Sequence, residues 1–260
     1  MNQAVLDEIK RQDYSQIQTN IETFLGKHLT ESGSGGLVFG LSGGIDSAVI
    51  AHICAKSFRE RTLALIMPDS KVSPKEETED ALHIVDTLRL EYKLIDISQI
   101  HAMFANVLEP DGKALGNLRA RIRASLLYYY ANLRNYLVIG SSDKSEQMVG
   151  YFTKFGDGSA DILPIASLYK TQIRELARHL GVKESIISKK SSPHLWTGHV
   201  AEDEIGATYE EIDSVLYCIV DRSLSVDDAV ELTSVSREKT EKIHQLYKKS
   251  QHKRIMPPRL

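Results

Sequence analysis

The chain has 260 residues, a formal net charge of −3, and a hydrophobic fraction of 42%. That balance suits a soluble globular protein with a sizeable core and gives no reason to expect a nucleic-acid or membrane partner. No apolar run approaches the ~18 residues needed to span a bilayer, and the N-terminus lacks the layout of a signal peptide, so a cytoplasmic protein is expected.

Residues 2–29 carry Val5, Leu6, Ile9, Ile17, Ile21, Phe24 and Leu25 mostly at helical spacing, which predicts one leading helix. Glu31-Ser32-Gly33-Ser34-Gly35-Gly36 ends it. A strand is predicted over 37–41, then a Gly-rich loop, then a helix over 47–58. Thr62 to Met67 reads as the second strand, closed by Pro68. Ser73 as N-cap, Pro74 at the first helical position and Glu76 as the capping-box acid open the next helix. Tyr92 to Ile97 and Tyr136 to Gly140 read as the third and fourth strands. A long helical hairpin lies between them, broken at Glu109-Pro110-Asp111-Gly112. Beyond residue 168 the pattern is helical except for Ser188 to Gly206, a polar stretch long enough to be a lid or binding loop. Alternating strands and helices predict the α/β class: a doubly wound parallel sheet with helices on both faces, in a single domain over 1–260. Cys54 and Cys218 fall in apolar helices without C-x-x-C spacing and are read as reduced core thiols.

The chemistry begins at Gly40-Leu41-Ser42-Gly43-Gly44-Ile45-Asp46-Ser47. Glycines let backbone close on a polyanion, hydroxyls donate to it, and the following helix N-terminus adds partial positive charge. An Asp in such a nest calls for a cation beside the anion, so the loop reads as a site for ATP with Mg²⁺. The Lys of Walker A and the G-x-G-x-x-G fingerprint are both absent. Ser-Gly-Gly-x-Asp-Ser resembles the loop of ATP pyrophosphatases, which cleave between the α and β phosphates. Gly140-Ser141-Ser142-Asp143 leaves its strand in the same manner, which predicts two polar loops at one crevice.

Further segments complete the pattern: Asn117-Leu118-Arg119-Ala120-Arg121-Ile122-Arg123, then Glu146, then Tyr151-Phe152-Thr153-Lys154-Phe155-Gly156-Asp157-Gly158, and the C-terminal Gln251-His252-Lys253-Arg254. Together with the phosphate loop they resemble the ammonia-dependent NAD synthetases from about residue 37 to the C-terminus. The resemblance implies an adenine nucleotide alpha hydrolase-like fold, a homodimer, and amidation of deamido-NAD to NAD through an acyl-adenylate, releasing AMP and pyrophosphate. It implies that residues 40–47, Ser141, Lys170 and Ser192 contact ATP, and that Asp46 and Glu146 hold Mg²⁺. Arg121, Lys154, Asp161, His252 and Lys253 correspond to positions that bind deamido-NAD. Lys170 and Asp46 are the expected catalytic pair. Ser141 and Ser192 each stand where the family often has Thr. Related sequences more often have Gly-Gln-x-Asp before the Glu-Asp pair, where this chain has His199, Val200 and Ala201. With no room for a glutaminase domain, free ammonia or ammonia from a separate glutaminase is expected. Two other readings remain open on sequence: an ATP pyrophosphatase adenylating a different acid or base, and a non-catalytic dinucleotide sensor.

Overall fold

The computed structural model describes residues 2–192, 194–196 and 198–259. The N-terminal region forms α1 (Gln3–Lys10) and α2 (Tyr14–Ser32) rather than one helix. Asp13 makes the break by accepting the Gln16 amide as the N-cap of α2. The two helices also serve different cores. Val5 and Ile9 of α1 pack among C-terminal helices, whereas Ile21, Leu25 and Leu29 of α2 pack on the sheet.

The strands are β1 (Gly36–Gly40), β2 (Thr62–Ile66), β3 (Glu91–Leu94) and β4 (Tyr136–Ile139), all parallel, in the order β3-β2-β1-β4. Between the first three run α3 (Ile45–Ser57) and α4 (Lys75–Leu88). Helix α3 starts two residues earlier than its apolar pattern suggests. Helix α4 starts after Pro74, because the Ser73 hydroxyl accepts the Asp69 amide instead of capping the helix. β3 ends at Leu94 rather than Ile97, although Ile95 and Ile97 still donate to the carbonyls of Ile66 and Pro68. The hairpin is α5 (Ser98–Ala105) and α6 (Gly112–Arg134), with Asp111 capping α6.

Because α5 and α6 carry the chain back across β2 and β1 to β4, the winding reverses between β1 and β4. That reversal opens a crevice at the strand C-terminal ends. Alternate residues of the strands supply the two faces. Leu37, Phe39, Ala64, Ile66 and Ile139 meet α2, α3 and α4, whereas Val38, Leu63, Leu65 and Val138 meet α5 and α6. The remaining helices are α7 (Lys144–Val149), α8 (Lys170–His179), α9 (Glu184–Ile187), α10 (Ala201–Ile205), α11 (Tyr209–Leu216), α12 (Val226–Thr233), α13 (Arg237–Lys249) and α14 (Gln251–Arg254). Helix α8 joins the sheet core through Ile173, Leu176 and Ala177. Tyr209, Ile212, Val215 and Ile243 build the third core with α1. No helix among the described residues is long and apolar enough to cross a membrane.

Candidate active site

A cavity of about 270 Å³ occupies the crevice between β1 and β4. Its floor is the phosphate loop. The Ser42 amide donates to Ser47 Oγ at 3.2 Å, and the Ser47 hydroxyl donates to the Gly44 carbonyl at 3.0 Å. The Gly44 amide donates to Ser42 Oγ at 3.2 Å. Gly43 has φ +89°, and a Cβ there would lie 2.2 Å from the Glu77 carbonyl oxygen, so only glycine lets the loop pass α4 this closely. Gly40, Leu41, Ser42, Gly44, Ile45 and Asp46 line the cavity. Gly43 and Ser47 are not among the lining residues; Ser47 braces the loop through its bonds to Ser42 and Gly44. Ser141, Ser192 and Glu146 also line the cavity.

Lys170 opens α8 and has no solvent exposure. Its Nζ lies 2.7 Å from Asp46 Oδ2, 2.9 Å from Asp143 Oδ2 and 3.0 Å from Glu146 Oε1. It therefore sits beneath the cavity wall and reaches the site through these carboxylates. Asp143, from the second polar loop, joins Asp46 and Glu146 in space, a grouping that the sequence pattern alone does not show. It caps α7, accepting the Glu146 amide at 2.8 Å, and this turns both acids toward Lys170. Burial pushes the Asp143 carboxyl up to about 6 against the pull of Lys170, with the Asp46 charge adding to the rise. Burial likewise holds Glu146 well above its usual range. For Lys170, burial alone would depress the ammonium; the facing charges of Asp143, Asp46 and Glu146 reverse this and hold it well above normal.

One oxygen from each of Asp46, Asp143 and Glu146 falls within 4.8 Å of the others. Asp46 Oδ1 is buried and has no hydrogen-bond partner among the described residues, leaving a lone pair to spare. Three carboxylates against one ammonium leave an excess of two negative charges when all are ionised. An all-oxygen donor set with that excess fits a hard divalent cation such as Mg²⁺.

The residues expected to hold the dinucleotide fall into two places. The Arg121 guanidinium donates to the Lys154 carbonyl at 3.3 Å, and Lys154 Nζ donates to the His252 carbonyl at 2.9 Å. Lys253 Nζ donates to the carbonyls of Gly150 and Phe152, both at 2.7 Å. Arg121, Lys154 and Lys253 bring three cations together, and with the His252 carbonyl they tie α6, the aromatic loop and the C-terminus to one another. Asp161 works elsewhere: its Oδ2 accepts the Val138 amide of β4 at 2.7 Å.

The segment from Ser188 to Gly206 lies over the cavity and is held at several points. Lys189 Nζ, from the cavity rim, meets Glu77 at 3.0 Å and Asp80 at 2.5 Å on α4. Arg119, which also pairs with Asp69 at 2.6 Å, donates to the Leu195 carbonyl at 3.1 Å. Trp196 stacks on His199 with ring centroids 3.5 Å apart. His199 Nε2 lies 2.8 Å from Glu204 Oε2 and 2.7 Å from the Tyr151 hydroxyl, which itself donates to Glu204 at 2.9 Å. Ala201 is buried and forms part of the cavity wall. The segment is thus seated without the acid that related sequences carry. Sequence reading missed Arg119, Lys189 and Glu77 because their partners lie 50 or more residues away.

The family model for NAD synthase matches residues 17–257. The NH(3)-dependent NAD(+) synthetase of Hyperthermus butylicus is 47% identical over 256 residues, covering 97% of this chain and 93% of the relative. Among solved structures, an NMN synthetase from Francisella tularensis superposes with TM-score 0.85 at 34% identity, over 96% of this chain and 99% of that one. The NH3-dependent NAD synthetase of Campylobacter jejuni superposes with TM-score 0.81 at 35% identity, with the same coverage. A crevice at the sheet's switch point, a buried carboxylate–lysine cluster and near-complete matches along the chain therefore converge, and the chain belongs to the NAD synthase family.

Proposed function

We propose that this protein is an ammonia-dependent NAD synthetase, converting deamido-NAD, ATP and ammonia to NAD, AMP and pyrophosphate. The observation that carries the reading is that the phosphate loop, Asp46 and Glu146 line one cavity, with Lys170 and Asp143 buried directly behind the two acids. The nicotinate carboxylate attacks the α-phosphorus, the bond to the bridging oxygen breaks, and pyrophosphate leaves. Ammonia then adds to the acyl-adenylate carbonyl and AMP departs, with one proton released. A carboxylate is a poor electrophile, and adenylation gives it a leaving group.

The chain's own groups position and neutralise. The amides and hydroxyls of residues 40–47 cradle the leaving pyrophosphate, with Ser141 and Ser192 on the facing walls. Asp46 and Glu146, joined by Asp143, would hold Mg²⁺, which when bound offsets phosphate charge. Lys170 keeps the acids at fixed separation and supplies positive charge from below. Arg121, Lys154, His252, Lys253 and Asp161 bind the dinucleotide, whose phosphates suit the cations Arg121, Lys154 and Lys253. The seated 188–206 segment excludes water, protecting the adenylate from hydrolysis. The ammonia is free or comes from a separate glutaminase, and the enzyme works in the cytoplasm.

We also assign a homodimer. Met103, Phe104, Val107 and Leu108 at the end of α5, Tyr129 and Leu133 on α6, and Tyr92 and Leu94 on β3 all expose apolar side chains on neighbouring elements. A second copy of the chain, which the family resemblance implies, is the occupant that would cover them.

The test is incubation with deamido-NAD, Mg-ATP and ammonium, followed by chromatography of the nucleotides. Equimolar NAD and AMP are expected, and absence of NAD sinks the reading. Because the Francisella relative is an NMN synthetase, the deamido mononucleotide belongs in a parallel reaction; its preferential amidation would move the substrate to the shorter acceptor while keeping the chemistry.

A further inference from the structure

Asp213, on α11, is fully buried and does not line the cavity. Its Oδ1 accepts the Ser145 hydroxyl, and its Oδ2 accepts the Thr171 amide at 2.8 Å. The Ser145 oxygen in turn accepts the Lys170 amide at 2.8 Å. Ser145 stands between Asp143 and Glu146, and Thr171 follows Lys170. One carboxylate therefore binds the first turn of α7 to the first turn of α8. Those two turns deliver Asp143, Glu146 and Lys170, whose side chains meet at 2.9 and 3.0 Å. Four residues earlier on the same face of α11, the Tyr209 ring lies 5.1 Å from Lys170 Nζ.

A buried carboxylate is costly to keep. Burial pushes the Asp213 carboxyl up to about 7, against the pull of its Ser145 and Thr171 donors. An apolar side chain would pack α11 more cheaply, but it would strand the Thr171 amide and the Ser145 hydroxyl. The charge is thus placed where two helix starts need a common acceptor, and the N-terminal end of α8 favours it further.

We propose that Asp213 is a positioning residue for the ATP-cleaving centre: it locks the starts of α7 and α8 together, so that Lys170 meets Asp143 and Glu146 at fixed separation. This rests on the assignment of that centre as the site of adenylation. Asp213 touches neither substrate nor the carboxylates themselves; it acts through Ser145 and the amides of residues 170 and 171.

Asp213→Asn tests this, since it keeps the shape and removes the charge. The folded variant is expected to lose roughly tenfold to a hundredfold in kcat, while KM for deamido-NAD stays within about threefold. Electron paramagnetic resonance of Mn²⁺ added with ATP is expected to show weaker binding of the ion. Ser145→Ala breaks the same chain of bonds at its middle and shifts kcat and Mn²⁺ binding in the same direction. The double variant should fall clearly short of the summed single effects. A purely structural role would lower the melting temperature and leave kcat of the folded protein and Mn²⁺ affinity unchanged; that result overturns the proposal. If Asp213→Asn does not fold, Ser145→Ala decides alone, and a kcat within about twofold of the parent overturns it. A parent that makes no NAD defeats the functional reading, whereas an active parent matched by its variants defeats only this inference.

Discussion

Lys170 holds its charge without solvent only because Asp46, Asp143 and Glu146 face it within 3.0 Å. Removing one side of such a group leaves the other charges buried and uncompensated, at a cost of about 3–5 kcal/mol. Lys170→Ala is therefore expected to lower the melting temperature in metal-free buffer, with excess Mg²⁺ restoring part of the loss. Turnover should fall much further than affinity for deamido-NAD, because the residues proposed to bind the dinucleotide are a separate set. Melting curves in EDTA and in Mg²⁺, beside single-turnover rates, check both statements; identical curves for parent and variant would remove Lys170 from the charge balance. Cys54 illustrates the opposite outcome of burial. It is fully enclosed, and its thiol is pushed up to about 12 by burial, so almost no thiolate forms near neutrality. Cys218 is also buried, and its thiol is raised for the same cause. Neither thiol of the native protein should react promptly with a disulfide reagent at pH 8, and both should react in denaturant. Prompt native reaction of either would contradict its place in the core.

The phosphate loop and the 188–206 segment are both local sequences made functional by distant partners. Gly43 combines φ +89° with the Glu77 carbonyl 2.2 Å from where a Cβ would stand. Gly43→Ala must therefore push the loop off α4 or distort it. The expected result is loss of ATP affinity by roughly a hundredfold or more, corresponding to about 3 kcal/mol of strain and lost contacts, read by calorimetric titration with Mg-ATP. Wild-type affinity would show that the loop adapts. The Tyr151 hydroxyl is a partner of both His199 and Glu204. Tyr151→Phe should raise KM for ATP several-fold with little change in melting temperature, since the hydroxyl serves a cover rather than a core; an unchanged KM would mean the cover is held without it. The loop itself was legible in sequence because glycines, hydroxyls and an Asp at fixed spacing carry their chemistry locally. So were the four strands and their parallel winding, from alternation alone. The split at Asp13 was not, because the apolar pattern on either side is continuous and only tertiary packing assigns its halves to two cores. The seating of Ala201 was equally hidden. Sequence showed an acid missing there, but the contacts that hold the segment down come from Arg119, Tyr151 and Glu77, each set by the fold.

At the scale of the whole molecule, the sheet order β3-β2-β1-β4 puts the crevice at one end and leaves β3 as an open edge at the other side. All four residues of β3 are exposed, Tyr92 and Leu94 among them. An exposed parallel edge beside apolar helix faces is a liability for a free monomer. Met103 and Val107 are 74% and 79% exposed, and Tyr129 and Leu133 are 60% and 64% exposed, so none contributes much to the fold of one chain. Charge introduced there should leave the monomer intact, because substitutions at open surface positions usually change stability by about 0.5 kcal/mol or less. The same charge inside an interface is buried without a partner and costs several times more. Val107→Glu and Leu133→Glu together are thus expected to give a folded monomer in sedimentation velocity, while the parent sediments as a dimer at the same concentration. Circular dichroism establishes that the variant is folded. If the dinucleotide lies near the interface, as the family resemblance implies, KM for deamido-NAD rises in the monomer while the isolated ATP site still binds Mg-ATP. A parent that sediments as a monomer, or a doubly charged variant that remains dimeric, would overturn the assignment of this face to a second copy of the chain.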